Sequence, residues 1–309
     1  MKKNLFLILI MIWSSAFSVK KQHMFINYKS SDGLSQHDVT CIIQDKKGFM
    51  WFGTYDGLNR FDGYDFKVYK PSSNLSNSIT GRIITDICTD TFGRIWITTL
   101  DNGICCYEPE NEKVYNFNFL ISSLDNHAAV SIKESNDSVL WIKSKSDICY
   151  AVVHEDVNKM EFRSFSISNI ENFNDGYTNR LIINNNKPFV VSNDIRYQII
   201  YKKNGTLLTN IRVLPTKKYH LIESVIKGIH WEIFSDKVVY KNENDSLVLL
   251  INLKTIKNAI VDFEGGLWCI VNNRLHQFYL HQGEIHQEII DFEDINLFGL
   301  KNNTIMSLF

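Results

Sequence analysis

Proline is scarce, with 4 residues in 309, and glycine is moderate at 15. With 44% hydrophobic and 22% charged residues, this excludes a disordered or low-complexity chain. No basic block exists, and 33 Lys+Arg stand against 34 Asp+Glu, so the footprint of a nucleic-acid binder is missing. Helical periodicity is sustained nowhere beyond the first 18 residues. The Gly-x-Ser-x-Gly elbow, the His-Glu-x-x-His pair and a phosphate loop are also missing, which argues against the enzymes that carry them. Acid pairs for glycoside cleavage stay open, because repeated sheets can assemble them from distant segments. The six cysteines (Cys41, Cys88, Cys105, Cys106, Cys149 and Cys269) show no disulfide-framework spacing, and most lie in apolar strand runs. Buried free thiols are expected. His276, His281 and His286 recur every five residues, an odd spacing that flips faces along one strand. Without a flanking cysteine or acid pattern they make no zinc signature, and no metal or other cofactor is expected.

Residues 1–18 stand apart. Lys2-Lys3 precedes a short apolar run from Leu5 to Trp13, and Ala16-Phe17-Ser18 offers small residues for cleavage. This is the pattern of an export signal peptide, the run being shorter than the ~20 residues of a spanning helix. An uncleaved anchor is the alternative.

What is present is a repeat. Asp45-Lys46-Lys47-Gly48 is turn chemistry, Phe49 to Tyr55 is a short aromatic-rich run, Asp56-Gly57 turns again, and Leu58 to Phe61 returns. Anchors at Trp51, Trp96, Trp141, Phe189, Trp231 and Trp268 lie 37–48 residues apart. A period of ~40–50 residues with several strands per copy indicates propeller blades. In the first copy the strands are expected at Val39–Gln44, Phe49–Thr54, Leu58–Phe61 and Phe66–Tyr69. The expected fold is all-β: a seven-bladed propeller of four-stranded blades within 19–309. Its blades fall near 38–70, 82–120, 128–166, 178–212, 219–252 and 256–292. The last is partial, built from 295–309 and closed by the N-terminal strand at 24–28, which suggests a truncated chain. The tryptophans' fixed place in the second strand predicts blade-to-blade packing, not a sugar-stacking platform.

The run from Gln44 to Phe61, with Asp32-Gly33-Leu34-Ser35 before it, resembles the two-component regulator propeller repeat. The resemblance covers 24–110 and fades over 120–260. It implies the periplasmic sensor region of a Bacteroidota hybrid histidine kinase, responding to glycans or their breakdown products. The kinase, receiver and DNA-binding parts of that layout cannot be read in this sequence, so membrane attachment would come only from missing downstream segments or an uncleaved signal.

Loops between second and third strands place one acid or amide per blade: Asp56, Asp101 with Asn102, Asp147, Asp194, Asp236 and Asn273. They suit sugar hydroxyls, but Asp and Asn also cap tight turns on their own account. Tyr55 and Arg60 are candidates for a stacking ring and a donor, with packing at the strand ends as the alternative. The expected role is a non-catalytic, glycan-responsive sensing module whose partners are an oligosaccharide and a second propeller or a homodimer copy. A polysaccharide lyase or glycoside hydrolase on the same fold is the alternative, and a plain scaffold a third.

Overall fold

A computed structural model describes residues 26, 28–72, 77–117, 129–168, 170, 180–184, 186–192, 195–215, 222–226, 229–234, 237–241, 247–253, 256–262, 264–272, 274–281 and 284–290. These residues form six sheets. The first holds β1 (Val39–Gln44), β2 (Met50–Thr54), β3 (Gly57–Phe61) and β4 (Phe66–Tyr69). The second holds β5 (Ile84–Thr89), β6 (Ile95–Thr99), β7 (Gly103–Glu108) and β8 (Lys113–Asn116). The third holds β9 (Ala129–Ser135), β10 (Val139–Ser144), β11 (Asp147–Val152) and β12 (Arg163–Ser166). The fourth holds β13 (Arg180–Asn184), β14 (Lys187–Ser192), β15 (Ile195–Asn204) and β16 (Leu207–Pro215). The fifth holds β17 (Ile222–Ile226), β18 (Ile229–Ile233), β19 (Lys237–Lys241) and β20 (Leu247–Asn252). The sixth holds β21 (Ile256–Val261), β22 (Leu267–Val271), β23 (Arg274–His281) and β24 (Glu284–Ile290).

Every sheet is an antiparallel meander with its strands side by side in chain order. First strands pack against first strands: β1 on β5, β5 on β9, β9 on β13, and β17 on β21. That arrangement is a propeller, with the first strand of each blade innermost and the fourth outermost. The expected strands of the first blade agree with the observed ones to within a residue. The segments that would build a seventh blade, 291–309 and most of 24–28, lie outside the described residues, as does the 1–18 signal segment.

The inner strands are joined by a device that repeats. Pairing slips by one residue at the start of β1, β5, β9 and β21, which leaves Thr40 and Thr85 as the extra residues of β-bulges in β1 and β5. A bulge re-aims its side chain out of the alternating pattern. The Thr40 hydroxyl accordingly donates to the Ile84 carbonyl of the next blade at 2.8 Å, and Thr85 donates to Ala129 O at 2.7 Å.

Large rings fill the space between blades. Trp51, Trp96, Trp141 and Trp231 are 0% exposed. The Trp51 ring lies 5.6 Å from Tyr69 in its own blade and 5.6 Å from Tyr107 in the next. Trp141 meets Tyr201 at 5.1 Å, and Trp231 meets Phe278 at 6.4 Å. These four tryptophans therefore pack blade on blade and present no platform to solvent, while Trp268 is half-buried. The six cysteines are all free and all buried. Burial raises the Cys41, Cys149 and Cys269 thiols to about 12 and Cys105 to about 11, so each stays protonated.

Glycine is required where blades approach most closely. A Cβ on Gly53 would stand 2.4 Å from Cys41 Sγ and 2.6 Å from Ile84 Cγ2. Gly53→Val is expected to cost about 1–3 kcal/mol through overpacking. The urea midpoint of unfolding checks this; a midpoint equal to wild type would remove the close approach as a constraint.

Candidate functional site

One end of the propeller is formed by the turns between second and third strands and by the crossovers from one blade to the next. In the first three blades the turns are capped by a hydroxyl at the end of the second strand. Thr54 Oγ donates to Gly57 O at 2.9 Å and accepts from Asp56 N at 3.1 Å. Thr99 donates to Gly103 O and accepts from Asn102 N, each at 3.1 Å. Ser144 does the same with Asp147 O and Asp147 N, at 3.2 and 3.1 Å. The hydroxyl thus does the local turn work and leaves the Asp or Asn side chain for longer reach. Thr54, Thr99 and Ser144 recur 45 residues apart. This spacing was a sequence signal for the caps that the reading of the carboxylates passed over.

The carboxylates reach inward to the protein. Asp56 accepts from Lys70 Nζ at 2.5 Å and from Arg82 Nη2 and Nε at 2.6 and 3.0 Å. Lys70 and then Arg82 hold the Asp56 carboxyl below its ordinary range, so it stays anionic and is unsuited to act as a general acid. Asp101 Oδ2 accepts from the Arg82 backbone N–H at 3.1 Å, and Asn102 Nδ2 donates to Thr80 O at 2.7 Å. The crossover from the first to the second blade is thereby braced on both sides. Asp147 takes a weak 3.4 Å bond from Ser146 Oγ. Asp194, Asp236 and Asn273 lie outside the described residues.

Tyr55 stands beside this network, 53% exposed. Lys70 and Arg82 keep side-chain exposures of 42% and 63% while paired to Asp56. Tyr55 precedes Asp56 in the chain, so the patch offers an exposed ring next to a carboxylate paired with two partly open cationic donors. That set can stack on and hydrogen-bond a polyhydroxylated ligand. Lys70 and Arg82 were missed by the sequence reading, since neither lies in the turn it singled out. Arg60 is not part of the patch. It pairs across from Trp51, near the opposite end of the blade, and its guanidinium lies 4.5 Å over the Phe49 ring.

At that opposite end, the turns between first and second strands form a second network. Asp45 Oδ1 accepts from Lys47 N and Phe49 N, and Asp45 Oδ2 accepts from the Trp51 indole N–H at 2.8 Å. Asp90 repeats this with Phe92 N, Arg94 N and the Trp96 indole, and Asp262 repeats it with Glu264 N, Gly266 N and the Trp268 indole. Arg94, 1% exposed, completes the second copy. It donates to Asp90 Oδ2 at 2.6 Å and to the His154 and Glu155 carbonyls of the third blade. This network is structural.

The His276–His286 spacing is only partly undone by the fold. Adjacent strands β23 and β24 bring His281 and His286 to 5.7 Å between rings, whereas His276 bonds Gln287 instead. Among the described residues, no group of three or more metal-ligating side chains forms. No helix among them is long and apolar enough to cross a membrane.

Residues 33–56 match the family model described as two component regulator propeller. Over 68 residues the chain is 47% identical to histidine kinase P4 of Formosa agariphila, a match that covers 21% of this chain and 5% of that protein. In structure the chain is similar to the extracellular domain of the provisionally assigned hybrid two component system BT3049 from B. thetaiotaomicron. The TM-score is 0.61 at 21% identity, covering 91% of this chain and 38% of that one. The extracellular domain of BT4673 from the same organism gives a TM-score of 0.58 at 18% identity, covering 86% of this chain and 38% of that one. The chain spans well under half the length of these relatives. The shared fold is the propeller, and the first repeat is a two-component regulator propeller repeat.

Two copies of the indole-end turn predict different stability losses. Asp90→Ala strands the buried Arg94 guanidinium and is expected to cost about 3–5 kcal/mol. Asp45→Ala loses a cap and one indole bond and is expected to cost about 1–3 kcal/mol. Urea titrations of both variants test the order. For Asp56, the depressed native pKa contributes stability that is complete above the ordinary value of 3.8 and is lost as pH falls through the native one. The Tm gap between wild type and Asp56→Asn is expected to hold from pH 7 to pH ~4.5 and to close below that; a gap that widens on acidification contradicts the assignment.

Proposed function

We propose that this chain is the ligand-sensing propeller of an extracellular, periplasmic two-component sensor, exported by its first 18 residues, and that it binds glycan fragments without chemistry of its own. The repeat match and the likeness to extracellular domains of two-component systems support the sensor reading. The observation that carries the ligand reading is the exposed Tyr55 ring beside the Lys70–Asp56–Arg82 network. Carbohydrate recognition needs an apolar face for the sugar ring and fixed donors and acceptors for its hydroxyls. A carboxylate held anionic supplies acceptors, and the two cations beside it supply donors, so both hydrogen-bonding senses are present at fixed positions. Binding at the crossover between two blades would tighten their packing, and a downstream kinase would read that change.

Calorimetric titration of the exported chain with a panel of neutral and acidic oligosaccharides tests this reading. At least one class is expected to bind, and Tyr55→Ala and Arg82→Ala are each expected to weaken it tenfold or more. Release of new reducing or unsaturated ends during the titration would overturn the non-catalytic reading. Binding unaffected by both substitutions would move the site elsewhere.

A further inference from the structure

Spacing along a single strand keeps His281 and His286 apart, but β23 and β24 fold back on each other and bring them together. In the register of this pair His281 lies opposite Glu284, and Tyr279 lies opposite His286. Residues two apart on a strand share a face, so Tyr279, His281, Glu284 and His286 stand on the same one. The two imidazoles are diagonal neighbours across the strands, 5.7 Å between centroids and 68° between planes. Tyr279 stacks on His286 at 5.7 Å and 21°. His281, Glu284 and His286 are exposed, and Tyr279 is half-buried.

An edge-to-face contact between two exposed rings removes little apolar area from water, so packing is a weak reason for the pair. The chemistry the two side chains share is ligation. A neutral imidazole presents one ring-nitrogen lone pair, and a paired-strand frame holds two of them toward one point. With metal–nitrogen bonds of ~2.0–2.1 Å, two imidazoles on one ion have centroids roughly 5 Å apart. The observed 5.7 Å is a small side-chain rotation away from that. The stack on Tyr279 restricts the His286 ring and lowers the ordering an ion must impose. Charge favours a cation as well. From Leu275 to Ile290 the sequence holds no Lys or Arg, and the Glu284 carboxylate belongs to the residue opposite His281. Among the described residues no third ligand converges on the pair. Two protein nitrogens with water in the other positions make an open, exchangeable site, unlike the closed four-ligand sites that hold folds together.

We propose that His281 and His286 form a surface site for a divalent transition-metal ion of the class that prefers imidazole, such as Zn²⁺ or Ni²⁺. The bound ion clips β24, the last strand of its sheet among the described residues, to β23. Because it binds the paired strands and not the unfolded chain, it stabilises the native state by mass action. The two histidines lie at the indole end of the propeller, away from the Tyr55 turn, and the proposal stands independently of the ligand reading.

Calorimetric titration of the exported chain with Zn²⁺ is the test, with Ca²⁺ as the oxygen-seeking control. One equivalent of Zn²⁺ is expected to bind with micromolar affinity, and Ca²⁺ is expected to give no heat. His281→Gln and His286→Gln are each expected to weaken Zn²⁺ at least tenfold. Zn²⁺ is expected to raise the Tm of wild type and to leave that of both variants unmoved, while the zinc-free proteins melt together. Should a variant fold poorly, paramagnetic Ni²⁺ on wild type still decides: at substoichiometric Ni²⁺, two of the nine imidazole signals are expected to broaden ahead of the rest. Zn²⁺ affinity unchanged in both variants, Ca²⁺ bound as tightly as Zn²⁺, or even broadening of all the imidazoles would overturn the proposal.

Discussion

A hydrogen bond from a buried indole to a turn carboxylate is the interaction on which the other regularities rest. The indole sits between blades, where it has no access to water, and an unpaired N–H there would cost more than a bond ordinarily gains. The carboxylate of Asp45, Asp90 or Asp262 answers that need while its other oxygen gathers the amides of its own turn. One side chain thus fixes the turn, aims the second strand and seats the ring that fills the gap to the next blade. Where the carboxylate is replaced, the indole finds another acceptor. Trp141 donates to Ser135 Oγ, whose hydroxyl donates in turn to Asp137 Oδ1, and Trp231 donates to the Gly265 carbonyl of the following blade. The repeat drifts in sequence while the same donor is satisfied each time.

The two ends of the propeller divide their labour. At the indole end the turns reach for one another around the ring: Lys46 to Thr91 O, Thr91 to Glu134, Asn136 N to Asn186. At the crossover end the contacts are charge-assisted and partly open to water, as in the Lys70–Asp56–Arg82 group. A surface that must be rearranged by a ligand belongs at the second end, where ion pairs exchange with solvent at little cost. The Asp86–Lys133 pair between the second and third blades, joined by Ser131, is more enclosed: the Asp86 side chain is 11% exposed and that of Lys133 35%.

Much of the fold was legible because it depends on repetition. Anchors near every 45 residues, aromatic runs between turn signals and the absence of helical period are all one-dimensional facts, and the observed strands of the first blade follow them closely. The burial of the cysteines followed from the apolar runs that contain them. The site was less legible, since it depends on what lies across a gap. Asp56 could be read as a turn former or a ligand acceptor, but its partners Lys70 and Arg82 come from the outer strand and the crossover. Arg60 was grouped with Tyr55 because the two are near in sequence; Tyr55 lies in the turn itself, whereas Arg60 has run back along β3 to stand opposite Trp51. The histidines show what a rule for one strand leaves out: a second strand folds back and brings His281 and His286 together, while His276 stays apart on Gln287.

The sealed cysteines carry a consequence for a chain that we propose is exported from the cell's reducing interior. Each thiol is enclosed by strands and pushed away from its reactive, ionised form, so folded molecules offer nothing to the machinery that forms disulfides. In an exported molecule the danger of wrong cross-links would be confined to the interval before the sheets close, and rapid blade assembly would be its protection.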